Sequence, residues 1–246
     1  MIKSSNPALG EKTFEQYQPG IEAAGRMTIN GTINKTLILL ALVIVPAVWL
    51  WDSFYKGGAE TIGVWMIGGL FGGLIFAVVT IFKKTWAPYT APIYALLEGL
   101  VIGGISAYAE AQFKGIVFQA VALTFGTLFA LLVAYRSGLI KVTEKFRMGV
   151  VAATGAIFLV YFVSIVVGFF GVGVPFIHTG GTIGILFSLF VVVIAALNLV
   201  LDFDFIEKGA EHGAPKYMEW YSAFGLIVTL VWLYIEFIRL LSKLRQ

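Results

Sequence analysis

Residues 182–201 read "TIGILFSLFVVVIAALNLVL", twenty positions without a charged side chain or a histidine. At about 1.5 Å of rise per residue, such a run covers the roughly 30 Å of a bilayer's hydrocarbon core, so it reads as a membrane-crossing helix. The next stretch, "DFDFIEKGAEHG" (202–213), sets Asp202 and Asp204 at its end. Acids at the edge of so apolar a run need a reason.

The rest of the chain has the same character. Of 246 residues, 59% are hydrophobic and 13% charged, against about 45–50% and about 25% in soluble domains. Further apolar runs fall at 37–51, 61–82, 92–109, 115–135, 148–170 and 218–241, which with 182–201 makes seven. The pattern predicts an all-α integral membrane protein with the lipid bilayer as its surroundings. The first run is short and contains Pro46, so it needs length from Asn34–Thr36. Residues 1–33, with "SSNPALGEKTFEQYQPG", are polar and turn-rich and lack the core and cleavage site of a signal peptide. They read as a retained, partly disordered arm ahead of a transmembrane domain at 34–246.

Lys and Arg divide unevenly between the two faces of such a bundle, twelve on the side of the N-terminus and five on the other, counting Arg239, Lys243 and Arg245 near the C-terminus. That bias predicts a cytoplasmic N-terminus. The basic C-terminus argues the other way for the last span and is reconciled if the final segment re-enters or stops short. The net charge of +3 is then a topology signal and implies no nucleic-acid partner. With no Cys there is neither a disulfide framework nor a thiolate metal site, and the two histidines, His178 and His212, fall in loops on opposite sides. No cofactor is expected.

Twenty-eight glycines in a membrane chain point to close helix packing. Gly68 and Gly72, Gly69 and Gly73, and the stripe Ala95, Gly99, Gly103, Ala107 have the four-residue spacing that lets helix backbones approach. Gating by sliding along these seams is the alternative use.

Ionisable residues inside the spans are functional hypotheses by default, because each costs about 2.5–3.5 kcal/mol at a helix centre. They are Glu98, Asp202 and Asp204, and the pair Glu236 and Arg239. Asn198, four residues before Asp202, shares its face, whereas Asp204 points nearly opposite. Asp202 is therefore expected to face the bundle and Asp204 the headgroups or loop. Glu98 is expected in the bundle interior. Glu236 and Arg239, three apart, read equally as a local pair near a helix end, with the arginine snorkelling to the interface.

"LNLVLDFDFIEKG", "YRSGLIKVTEKFRMGVVAATG", "APIYALLEGL" and "LYIEFIRLL" together resemble the Bax inhibitor-1/YccA family, in a bacterial branch with an extended N-terminal arm. The resemblance covers residues 34–243. It implies a seven-transmembrane-helix bundle with the last helix central, in a bacterial inner membrane. It further implies a pH-sensitive calcium leak, in which an acid ending the sixth helix and an acid in the seventh share a proton. Those acids fall on Asp202 and Glu236. Glu stands where the family has Asp, the 34-residue separation is long, and the family's basic latch in the second helix has only Lys83 and Lys84 near its place.

The expected function is accordingly a channel-like cation leak, gated by paired carboxyls that also hold Ca²⁺ in transit. Two close carboxyls cannot easily both ionise, and their oxygens suit a hard cation. Asp202, Glu236 and Glu98 form the expected ion or proton switch, with Asn198, Arg239 and Asp204 supporting. Three acids on three helices are too few for a closed cage, so passage fits better than storage. A proton-coupled transporter relaying through Glu98 and Glu236 is one alternative. Another is a non-conducting regulator of membrane proteases or of stress and cell-death factors. An enzyme is not expected, since neither H-E-x-x-H nor G-x-S-x-G occurs.

Overall fold

In hydrocarbon a backbone must close its own hydrogen bonds, and helices do so segment by segment. The computed structural model describes residues 25–170 and 181–246. In them it has α1 (Ile29–Gly57), α2 (Ala59–Phe82), α3 (Ala87–Gln112), α4 (Ile116–Arg136), α5 (Glu144–Phe169), α6 (Thr182–Glu211) and α7 (Met218–Leu244), with a 3-10 turn at Lys84–Trp86 before α3. All seven helices are long and apolar enough to cross a membrane. The chain is an all-α, seven-helix membrane protein. Residues 1–24 of the arm and His178 lie outside the described residues. His212 sits exposed just past α6, with Nδ1 2.6 Å from the Lys208 carbonyl.

Two boundaries differ from the sequence expectation. The bundle starts earlier, because Thr28 caps α1: its side chain accepts from the Gly31 amide at 2.9 Å, and Met27 is buried in the core. Residues 25–33 thus belong to the folded body, not to the arm. Helix α6 also runs ten residues beyond Leu201, so Asp202 and Asp204 lie inside it, not at its end. Both errors share a cause, since hydropathy stops counting at the first polar residues while the helix continues in the interface. Helix α7 runs its full 27 residues without a break.

The last helix is the hub. It packs on α1, α3, α4 and α6, and also touches the 3-10 turn. Tyr221, Phe224, Ile227 and Leu233 on it are almost wholly buried. The small-residue stripe of α3 does its expected work against α1: a Cβ on Gly103 would stand 2.5 Å from the Ala47 carbonyl oxygen, and one on Gly99 would overlap the Val43 carbonyl and the Pro46 ring. A Cβ on Gly69 of α2 would likewise stand 2.7 Å from the Leu97 carbonyl oxygen of α3. Gly68 faces open space. Helix α5 is the contrast, because among the described residues α6 is its one extended neighbour and most of its surface is exposed.

Candidate functional site

The polar side chains that the apolar runs tolerate converge on the seam where α5 and α7 flank α6. Nearest the face that carries residue 25, Asp204 of α6 accepts from Arg147 of α5 at 2.8 Å and from Lys208, one turn on, at 2.7 Å. Both partners of the inter-helix pair are buried. Asp202 is buried as well, at 1% exposure. One turn back, the Asn198 amide donates to Thr154 Oγ1 of α5 at 2.9 Å and to the Ile194 carbonyl at 2.8 Å.

Towards the opposite face, Glu236 of α7 accepts from the Tyr161 hydroxyl of α5, 3.1 Å from each oxygen, and from Arg239 at 2.8 Å. Arg239 also donates to the Tyr161 hydroxyl. Beyond them Lys243 reaches across to α6, donating to Ser188 Oγ at 2.8 Å and to the Gly184 carbonyl at 3.0 Å. The seam is therefore polar along most of its length. Helix α5 is fastened to it at three levels, by Arg147, Thr154 and Tyr161.

This arrangement corrects two sequence expectations. Asp204 does not face headgroups: because α6 continues two turns past it and α5 covers that side, it is buried and ion-paired. Both aspartates are inside, one on each face of a helix that is covered on both. Nor does the structure bring Asp202 and Glu236 together. Asp202 lies nine residues before the end of α6 and Glu236 eighteen after the start of α7, which separates them by about 13 Å along the bundle axis at the helical rise. Neither a shared proton nor a shared Ca²⁺ fits that separation. Among the described residues no three acidic or imidazole groups are placed to hold a metal ion.

Glu98 stands elsewhere. It is half-buried between α2 and α3, hydrogen-bonded to Tyr94, and its Oε2 would lie 3.5 Å from a Cβ on Gly73. It has no place on the seam of α5, α6 and α7. Asn198 and Arg239 do, each with a partner that the sequence reading left out.

Sequence reasoning missed Arg147, Lys208, Tyr161 and Thr154. The first two were counted only as topology charges, although Asp204 and Lys208 have the four-residue spacing of a helical pair. It also missed Glu219, which is wholly buried. Glu219 accepts from the Thr28 amide at 3.0 Å and hydroxyl at 2.9 Å and pairs with Lys35 at 2.6 Å and Lys216 at 3.0 Å, which ties the start of α1 to the start of α7. An acid in the first turn of a helix was the available signal.

The family model described as Bax inhibitor 1 like matches residues 6–246. No curated protein and no solved structure matches the chain. The chain belongs to the Bax inhibitor 1 like family.

Proposed function

We propose, with membership of the Bax inhibitor 1 like family as premise, that this membrane protein is a cation leak whose route is the seam of α5, α6 and α7 and whose opening is driven by acid. The observation that carries this reading is the run of buried polar groups along that seam. Ionisable side chains at membrane depth are costly, and such groups mark ion or proton routes. In the closed form Asp204 is neutralised by Arg147 and Lys208, and Glu236 by Arg239.

The sign of the pH effect follows from those pairs. A carboxyl without its charge no longer holds a guanidinium, so acid acts on these pairs in the direction that frees Arg147 and Arg239. Arginines so close to the helix ends reach the interfaces along their apolar stems. Helix α5, left with the Thr154 bond and the small apolar cluster of Ile157 with Val191 and Ile194, then withdraws and admits water. The oxygens of Asp202 and Asn198 line the opened route, and carboxylate and amide oxygens suit Ca²⁺. No step of this reading is catalytic. We place the route in a bacterial inner membrane, with residue 25 on the cytoplasmic side, in keeping with the bias of Lys and Arg.

Purified protein in liposomes loaded with a calcium indicator tests the reading. Acidification raises calcium flux, and the Asp204→Asn, Glu236→Gln double variant leaks at neutral pH. No flux at any pH would sink it, and would favour a non-conducting regulator. The docking of residues 25–28 on the turn between α6 and α7 supports such a regulator as the second reading, since it gives a partner a handle on α7.

A further inference from the structure

Helices α1 and α4 face each other across the front of α3 and α7 without forming a packed interface of their own. Between them is a cleft of about 480 Å³, lined by Val48 and Trp51 of α1, Ser106 of α3, Val121 of α4, and Val231 and Tyr234 of α7, among others. It lies on the side of α7 away from Glu236. On α1 its lining runs from Leu40 to Trp51, about 16 Å at the helical rise. Spread over that length, this volume gives a mean bore narrower than the about 10–12 Å that a helix with its side chains needs.

Water does not suit this cleft either. A bound water needs about 2–4 polar partners, and the hydroxyls here are already engaged: Ser106 and Tyr234 bond each other at 2.6 Å, and Thr124 donates to the Ala120 carbonyl at 2.8 Å. Too narrow for a helix and too apolar for water, the cleft suits a hydrocarbon chain. Its upper end opens at Val117, in the first turn of α4, where Glu110 of α3 accepts from the Val117 amide at 3.2 Å and two cations outnumber that carboxylate. Lys114 is exposed one turn before Val117, and the exposed Arg245 is fixed there by donating to the Lys114 carbonyl at 2.9 Å and to Gln119 Oε1 at 2.8 Å.

We infer that the cleft between α1 and α4 binds one acyl chain of an anionic phospholipid, whose headgroup is held by Lys114 and Arg245. The site bears on the hub helix directly, because Tyr234 forms its wall two residues before Glu236. This assignment is independent of whether the protein conducts ions.

Native mass spectrometry of the full chain, extracted in detergent containing equal phosphatidylglycerol and phosphatidylcholine, tests it. The protein retains one phosphatidylglycerol in preference to phosphatidylcholine. Val121→Trp and Val231→Phe, which fill the cleft from two sides, each remove that lipid, while Phe158→Trp on the lipid-facing side of α5 keeps it. Lys114→Ala and Arg245→Ala each lower retention about fivefold, the effect of one basic group at a membrane surface. Circular dichroism melting identifies any variant that fails to fold, and the other filling variant then decides. Retention indifferent to headgroup, or a lipid that survives in a folded filling variant, overturns the assignment.

Discussion

At the scale of single residues, burial and partners separate acids that look alike in the sequence. Glu98 is half-buried and bonded to a tyrosine, so Glu98→Gln keeps its hydrogen-bonding capacity and leaves the melting temperature near that of the parent. Glu98→Lys places a cation against α2 at a cost of about 2.5–3.5 kcal/mol and lowers the folded fraction in a detergent-solubilised melt. Asp204 behaves differently, since its partner is buried with it. Arg147→Ala leaves that carboxylate to Lys208 alone, and breaking a buried pair costs about 3–5 kcal/mol; equal stability of Arg147→Ala and the parent would show that Lys208 suffices.

The candidate residues were legible because charge is rare in such a chain, and every ionisable group inside a run stands out. Their pairing was not legible. Helical spacing tells which side of its own helix a residue takes, and it correctly put Asn198 and Asp202 on one buried face. It does not tell what covers the other side, so the burial of Asp204 beneath α5 could not be foreseen. Tyr161 and Thr154 escaped notice for a plainer reason, since a hydroxyl in an apolar run carries no charge to mark it.

Among the elements, α1 shows most clearly where hydropathy fails. All seven spans were legible as apolar runs, and the glycine seams between α1, α2 and α3 as four-residue spacings. The start of α1 was not, because its cap is assembled from afar: Glu219, 191 residues away, receives the Thr28 amide. Deleting residues 2–30 therefore removes Met27 and Thr28 from the body and lowers the thermal stability of the solubilised protein; an unchanged melt would return those residues to a dispensable arm. The contact of α1 with α3 makes a second element-level prediction. Gly103→Val drives a side chain into the Ala47 backbone, an overpacking that costs about 1–3 kcal/mol and shows in the same melt, whereas Gly68→Val, facing open space, does not.

On the scale of the whole molecule, the two carboxyl stations of the seam are far apart and have separate partners. Changes at sites more than about 7–10 Å apart add, so the effects of Asp204→Asn and Glu236→Gln on calcium flux at neutral pH add as free energies. A double variant no different from one of the singles would mean instead that the two acids act as one coupled pair. If the seam of α5, α6 and α7 is the cation route, blocking it stops the flux. The chain has no cysteine, so Asn198→Cys supplies a single thiol midway along the seam. Its calcium flux in acidified liposomes is measured before and after reaction with a bulky, water-soluble thiol reagent, with Lys56→Cys at the exposed end of α1 as the control. Modification abolishes the flux of Asn198→Cys and spares that of Lys56→Cys; flux that persists through a fully modified Asn198→Cys would contradict this route.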